Sequence, residues 1–422
     1  LQRHICGERT ARGSTLLATL TGNVGVKGGW AAGYGGCGNR KFTTGPEMPD
    51  NPVKEKISIM NWVQAADDAS KITPQDGLTG ATQLKSNIRM LVSLAGNYLA
   101  NQNPDLLQAV KVLEDESKIE FILVSDLYMT PSARYADLLL PETSFMERWN
   151  IGETWGTGSY LILSEKLIEP EFERRSDYDW QREVAAKLGV EPQFSEGRSE
   201  KEWIEHIWEQ TRLAMPDEHL PTFTELQQTR QHLFKSEPYV AFEANIRDPE
   251  ANPFPTPSGK IEIFSKRLYD MKHPDIPALS HYVPAAEGPE DPLVKQYPLQ
   301  LITWKGKNRA NSTQYANPWL QEVQIQKLWI NPLDAQKRGI RQGDLVRIHN
   351  ARGVCQVPAE VTPRIIPGVV AMQAGAWWQP DADGVDLGGC PNVLSSARIT
   401  PLAKGNAHQT LLVEVVKYES AV

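Results

Sequence analysis

The residues best placed to do chemistry are short amides and hydroxyls: Asn97, Asn103, Asn311, Ser312, Thr313, Asn392, Asn406 and Gln409. Such groups hydrogen-bond neutral edges and phosphates without adding buried charge. Lys305, Lys307, Arg309 and Lys404 add the cations that a pyrophosphate wants. A large, polar, dinucleotide-like ligand fits this inventory, and so, on composition alone, do ordinary solvated loops. No nucleophile–base pairing, phosphate-binding P-loop, paired-cysteine or His-Glu-x-x-His motif occurs. Cys6, Cys37, Cys355 and Cys390 are widely spaced, which argues against a zinc or iron–sulfur site within the chain and leaves the redox compartment open.

Length and composition bound the scaffold behind these side chains. A chain of 422 residues is long enough for two or more domains, and 40% hydrophobic residues with 12 Trp can build a core. A net charge of -8 gives no nucleic-acid footprint. No apolar run approaches the roughly 20 residues that span a bilayer, and no secretory leader opens the sequence, so a soluble chain is expected. Leu1-Gln2-Arg3-His4 begins without Met and without an element start, which reads as a fragment whose upstream part lies elsewhere.

Residues 7–21 have helical spacing through Ala11, Leu16, Leu17 and Leu20 and run into Gly22, Gly25 and Gly28-Gly29. The stretch 33–52 is rich in Gly, Pro and Asn; a loop of that length covers a ligand or is a disordered connector. A strand at 90–94 ending in Gly96-Asn97, a helix at 105–113 and an apolar strand at 121–126 make a right-handed parallel βαβ unit. Open parallel sheets bind ligands at their strand carboxyl ends, where Gly96, Asn97 and Asp126 fall. Thr130 and Ser132 are expected to cap a short helix through Tyr135, followed by a strand at 136–141 that Pro141 ends. Glu142 and Glu147 read as surface acids. Residues 175–189 predict an amphipathic helix with Tyr178, Trp180, Val184 and Leu188 on its face, closed by Gly189. A second helix over 199–215 starts with a Ser199/Glu202 capping box, and Trp203, Ile204, Ile207 and Trp208 form a core-packing face. Residues 216–300, dense in Pro and acids, read as a crossing linker that holds a turn into a strand at 256–263.

The clearest local unit lies further on. Asn331 is an N-cap, Pro332 suits the first helical position, and Gly339 suits a left-handed stop, giving a helix over 333–338. Residues 344–348 alternate, 350–353 offer a turn, and 354–361 form a strand with Val357, Ala359 and Val361 on one face. Strands this short need closure or a second layer, so a small β-barrel is expected, opened by a strand at 299–304 and closed by one at 411–416.

The order Asn-Pro-x-Asp-Ala, Gly-Ile-x-x-Gly-Asp-x-Val-x-Ile, Arg-Gly and Pro-Gly-Val-Val across 331–370 is similar to the C-terminal dinucleotide-binding barrel of the dimethyl sulfoxide reductase family of molybdopterin oxidoreductases. Further matches follow in family order. They are Leu20 to Gly25 with Gly28-Gly29, Ala95-Gly96-Asn97 with Asn103-Pro104-Asp105, and Thr130 with Ala136 to Pro141 and Glu147. Thr256 to Glu262 and Asn392 with Gly405-Asn406 complete the set. The resemblance implies an α/β plus β chain. Residues 1–190 would be part of a parallel-sheet α/β domain, 191–298 a helical insert and linker, and 299–422 a double-psi-like β-barrel.

It also implies a molybdenum enzyme with two molybdopterin guanine dinucleotides that reduces S-oxides, N-oxides or selenate by oxygen-atom transfer in anaerobic respiration. Gly96, Asn97 and Asp126 would contact one guanine dinucleotide. Thr303, Trp304, Arg309, Ser312 and Thr313 would line the pterin and phosphate side of the barrel, Asn392, Asn406 and Gln409 the opposite wall, with Trp378 nearby. The molybdenum ligand, usually Ser in this branch, and a [4Fe-4S] cluster would belong to the upstream half. No catalytic residue or metal ligand is therefore assigned here, Cys390 and His408 read as packing or loop residues, and the chain by itself is expected to be inactive. By resemblance its partners are an iron–sulfur electron-transfer subunit and a membrane anchor subunit, its substrate a small-molecule oxide, and its place the periplasm. A formate dehydrogenase or nitrate reductase type, and a non-catalytic binding module, are the rival readings.

Overall fold

The computed structural model describes residues 3–29, 50–153, 160–235 and 238–419. Cys37 and all but the last three residues of the stretch 33–52 lie outside them. In chain order, α1 (Gly7–Leu20) and α2 (Trp62–Asp68) precede β1 (Met90–Leu94), α3 (Leu106–Leu113), β2 (Phe121–Asp126) and β3 (Leu138–Pro141). These three strands form a parallel sheet in the order β1-β2-β3, with Met90 beside Phe121 and Leu123 beside Leu138. The expected βαβ unit is present, with both strands where their apolar runs placed them.

The expected short helix is a single 3-10 turn, Ala133–Tyr135. Thr130 Oγ1 accepts from the Ala133 N–H (3.2 Å), but Ser132 does not cap. Its hydroxyl donates to Asn97 Oδ1 (3.0 Å) and accepts from the Ala100 N–H (3.1 Å), because the turn after β1 lies against it.

β4 (Asn150–Glu153), β5 (Tyr160–Ser164) and β6 (Gln231–Leu233) form a small antiparallel sheet. α4 (Asp177–Lys187), α5 (Glu191–Ser195), α6 (Glu200–Ala214) and α7 (Phe223–Thr229) fall between β5 and β6. Leu161, Leu163, Ile204, Trp208, Phe223 and Leu226 make a separate core there. Ser199 and Glu202 do form the reciprocal capping box of α6. The face read on α4 fails: Val184 and Leu188 are exposed, and Ala185 is its one buried residue. The stretch read as a linker contains α7 and β6, then α8 (Glu243–Arg247) and α9 (Lys266–Met271). The turn at 256–259 is present, but no strand follows it; Phe264 makes only a bridge to Leu279.

β7 (Leu299–Lys305), α10 (Pro318–Val323), β8 (Leu328–Ile330), α11 (Pro332–Lys337), β9 (Leu345–His349), β10 (Val354–Val361), β11 (Val369–Ala374) and β12 (Leu411–Lys417) complete the described chain. The strands close a barrel in the order β10-β8-β11-β7-β12-β9. α11 starts as its sequence dictates: Asn331 Oδ1 accepts from the Leu333 N–H (2.9 Å), and Gly339 takes φ +63°. Alternate residues fill the barrel, among them Leu301, Ile330, Ile348, Val370 and Val413, each with no measurable exposure. Each such side chain contributes roughly 2 kcal/mol of burial. One continuous core joins barrel and parallel sheet through α3, whose Leu106, Ala109 and Val112 belong to the same cluster as Cys390 and Val393. No helix among the described residues is long and apolar enough to cross a membrane.

Glu142 and Glu147, read as surface acids, are each 2% exposed. Both follow β3 at the carboxyl end of the sheet, where α4 and the segment before it cover them. Glu147 pairs with Arg174 at 2.9 Å. Glu142 accepts from Ser125 Oγ (3.0 Å) and Arg148 Nη1 (3.1 Å). Burial and the neighbouring Asp177 carboxyl push it from the ordinary 4.5 up to about 7. A carboxyl raised on folding contributes stability that is complete below its unfolded value and lost as pH rises through its folded one. We therefore expect Glu142→Gln, which mimics the protonated acid, to gain stability relative to the parent between about pH 5 and pH 8. Urea midpoints of both proteins across that range check this; a constant difference between them would contradict it.

Candidate functional site

Between the turn that follows β1 and the open end of the barrel lies a cleft of about 430 Å3. Asn101 and Gln102 face it from the sheet side, and Trp304, Ser312, Asn392 and Asn406 are among the barrel residues on its wall. Each arrives by its local fold. Asn101 and Gln102 end a single π-helical turn, Tyr98–Gln102, broken by non-helical dihedrals at Ala100. Thr303 and Trp304 lie at the carboxyl end of β7, Ser312 on the loop after it, and Asn392 in the 3-10 turn Pro391–Val393.

Of the residues singled out from sequence, Thr303, Trp304, Lys305, Asn311, Ser312, Asn392, Asn406 and Gln409 line this cleft. Gln409 is committed within the protein. Its Oε1 accepts from the Thr303 N–H (3.1 Å), and its Nε2 donates to Thr303 O (2.6 Å) and Oγ1 (2.7 Å). That pair straps the chain before β12 onto β7. The Trp304 indole packs on Trp329, ring centroids 5.0 Å apart.

Gly96, Asn97, Asp126, Arg309 and Thr313 are not on the wall. Gly96 and Asn97 sit one turn behind Asn101, where Asn97 Oδ1 accepts from the Ser132 N–H (3.2 Å) and hydroxyl (3.0 Å). Asp126 accepts from the Tyr128 N–H (3.2 Å), and burial pushes its carboxyl up. Arg309 lies beneath the loop, 9% exposed, donating to Gln326 and Gln373 with its guanidinium 5.4 Å over the Tyr315 ring. Burial pushes its pKa down, and its Nε has no partner among the described residues. The Thr313 N–H donates to Ala310 O (3.0 Å), which closes that loop. Trp378 stacks at 6.2 Å on Tyr135, and its backbone N–H donates to Asn101 Oδ1 (2.8 Å).

Sequence reasoning missed Arg3, Asn101, Gln102 and His408 on this wall. Asn101 carried a signal, lying four residues past Asn97 in the turn at a parallel strand's carboxyl end. Arg3 and His408 carried none, because their place depends on the chain crossing at 3–6, where the Gln409 N–H donates to Arg3 O (3.0 Å). His408, read as a packing or loop residue, lies on the cleft wall and is largely withdrawn from solvent. Burial first, then Arg3 and Lys305, push its imidazole down to about 4. Cys390 does read as packing: it is 1% exposed, and burial pushes its thiol up.

The electrostatics of the cleft are one-sided. Arg3 and Lys305 line it as cations beside His408, whose lowered pKa keeps it neutral near pH 7, and no Asp or Glu does among the described residues. Trp304 and Asn406, which line it, each bury a polar atom, Nε1 and Oδ1, that has no partner among the described residues. A wall of amides and hydroxyls beside two cations and no acid fits a ligand that combines a hydrogen-bonding heterocycle with anionic groups. No group of three or more His, Cys, Asp or Glu among the described residues could hold a metal ion.

A parallel-sheet α/β unit faces a closed six-stranded barrel across such a cleft, and comparison with known proteins gives the class of this scaffold. Residues 1–187 match the molybdopterin oxidoreductase family and residues 299–412 the molydopterin dinucleotide binding domain. The chain belongs to the dimethyl sulfoxide reductase family of molybdopterin oxidoreductases. It is 44% identical over 430 residues to dimethyl sulfoxide reductase DmsA of Escherichia coli K12, covering 99% of this chain and 52% of that one. It is 30% identical over 458 residues to trimethylamine-N-oxide reductase 1 of the same strain, covering 100% of this chain and 53% of the relative. Acetylene hydratase from Pelobacter acetylenicus has a similar fold, with TM-score 0.59 at 20% identity, over 85% of this chain and 46% of that structure. The chain thus spans about half the length of the curated relatives it matches. The cofactor class of this family is a molybdopterin dinucleotide carrying molybdenum, and the amide- and hydroxyl-rich wall and the Arg3 and Lys305 cations of the cleft suit its pterin and phosphates.

Proposed function

We propose that this chain forms one wall of the cofactor cleft of a molybdenum reductase that takes oxygen from S-oxides and N-oxides. The observation that carries the reading is the acid-free cleft, with the cations Arg3 and Lys305 at its rim and an amide- and hydroxyl-rich wall that includes Asn101, Ser312, Asn392 and Asn406. The names of the relatives, dimethyl sulfoxide and trimethylamine-N-oxide reductases, supply the substrate class. Bound molybdenum would supply the two-electron exchange with the oxide oxygen. The residues of this chain bind and orient: the Trp304 indole donates, Asn406 accepts, and the cations hold phosphate. The cofactor is bis(molybdopterin guanine dinucleotide), and parallel β8–β10 and β7–β11 pairs within an otherwise antiparallel barrel support a double-psi topology.

The wider assignment rests on the family alone. It comprises an iron–sulfur electron-transfer subunit, a membrane anchor, a [4Fe-4S] cluster held outside this chain, and a periplasmic place in anaerobic respiration.

The test uses the gene product that carries this chain, made anaerobically in a host that synthesises the cofactor. Acid hydrolysis is expected to release two guanine nucleotides per molybdenum, and reduced viologen to be oxidised with dimethyl sulfoxide or trimethylamine N-oxide, with selenate run alongside. Protein without guanine or molybdenum would overturn the proposal. Residues 1–422 alone are expected to show no turnover, and activity of that piece would overturn the view that a second wall is needed.

A further inference from the structure

Asn101 is 3% exposed and sits in the π-helical turn that ends at the cleft. Such turns interrupt regular geometry and recur where function fixes a side chain. This one is held from both sides. On the sheet side the Ala100 N–H donates to Ser132 Oγ (3.1 Å). On the barrel side Asn101 Oδ1 accepts from the Trp378 backbone N–H (2.8 Å), and its backbone carbonyl accepts from Asn392 Nδ2 (2.7 Å) and faces Cys390 Sγ at 3.6 Å.

The bond from Trp378 fixes the orientation of the amide, because only the oxygen can accept there. Asn101 Nδ2 makes no hydrogen bond to another described residue. Nor is it sealed in, since it is absent from the buried unpartnered atoms while Asn101 itself lines the cleft.

We propose that Asn101 is a positioning residue that joins occupancy of the cleft to the seating of the sheet turn on the barrel. Its two carbonyl oxygens hold the barrel segment 378–392, and its amide N–H donates to an acceptor on the bound cofactor. The proposal rests on the cleft holding a molybdopterin dinucleotide. A ligand that engages Nδ2 immobilises the amide, and with it the Trp378 bond on the other side, so cofactor loss loosens the sheet–barrel contact.

Two isosteric substitutions separate the roles. Asn101→Asp keeps an oxygen for Trp378 and removes the donor; Asn101→Leu removes both. The experiment uses the cofactor-loaded full gene product, reading release of guanine dinucleotide during dialysis and hydrogen–deuterium exchange of a peptide covering 376–380. With one hydrogen bond worth about tenfold in affinity, Asn101→Asp should release cofactor about tenfold faster and Asn101→Leu roughly a hundredfold faster. Exchange at 376–380 should rise in the parent on cofactor removal. It should be fast in the Leu variant with or without cofactor, and in stripped Asn101→Asp it should match the stripped parent. A purely structural asparagine would not give that split. Parental release from Asn101→Asp, or exchange in the parent indifferent to cofactor, overturns the proposal; should the Leu variant fail to fold, these two results decide it. A parent that carries no guanine overturns the reading of the cleft itself, which is a distinguishable failure.

Discussion

Gly375→Ala is expected to empty the cleft while leaving the barrel folded. Gly375 follows β11 on the cleft wall with φ +92°, a conformation that costs an L-residue roughly 1 kcal/mol. A Cβ there would lie 1.7 Å from Asn311 O and 2.3 Å from Asn311 C. Both are backbone atoms, so no rotamer change relieves the clash; the loop 306–313 must leave β11. Leaving takes Ser312 from the wall and breaks the bond from Trp377 Nε1 to Ser312 O (2.9 Å). We expect a loss of about 3 kcal/mol in unfolding free energy and at least a hundredfold drop in cofactor retention. Gly384→Ala is the control: its φ of +80° is equally strained, but its Cβ meets nothing within 4 Å. That variant should lose about 1 kcal/mol and keep its cofactor. If both variants behaved alike, the packing of the Asn311 loop on Gly375 would be wrong.

Asp386→Asn should free the loop that carries the far wall. Asp386 has no measurable exposure. Its Oδ1 accepts from the N–H groups of Gln379 (2.8 Å) and Gly388 (3.1 Å), and its Oδ2 accepts from that of Cys390. Its backbone is pinned to β10 by Asp386 N–H to Val354 O (2.9 Å) and Gln356 N–H to Asp386 O (2.8 Å). An asparagine offers one oxygen to these donors and turns an N–H2 on the other, leaving a buried donor facing a donor. Such an arrangement costs roughly 1–3 kcal/mol. We expect about 3 kcal/mol, with exchange of the Gln379, Gly388 and Cys390 amides accelerated together and Cys390, shielded in the parent, opened to a maleimide. Unchanged thiol labelling alongside unchanged stability would show that this carboxylate organises nothing.

Both substitutions fall where sequence reasoning was silent, and the reason is physical. The glycine pattern announced turns, but which glycine abuts foreign backbone depends on two segments meeting, and nothing near Gly375 in the chain resembles Asn311. Glu142 and Glu147 were misjudged for the same cause. An acid after a strand is usually solvated, and only the packing of later residues over the sheet end, with Arg148 and Arg174 as partners, makes these two buried. The α4 face failed in the opposite direction, since helical periodicity tells which residues share a side and not whether anything covers it.

By itself the sequence determined the local elements: strands at 90–94, 121–126 and 354–361, the capped starts of α6 and α11, and the order of motifs that marks the family. Those depend on propensities, caps and alternation within a few residues, interactions the chain carries wherever it goes. Tertiary structure decided the site. Asn101 meets Asn392 across 291 positions and Trp378 across 277, and Arg3 reaches the cleft beside His408. Such pairings are set by how one shared core closes between sheet and barrel, and no short-range pattern encodes them.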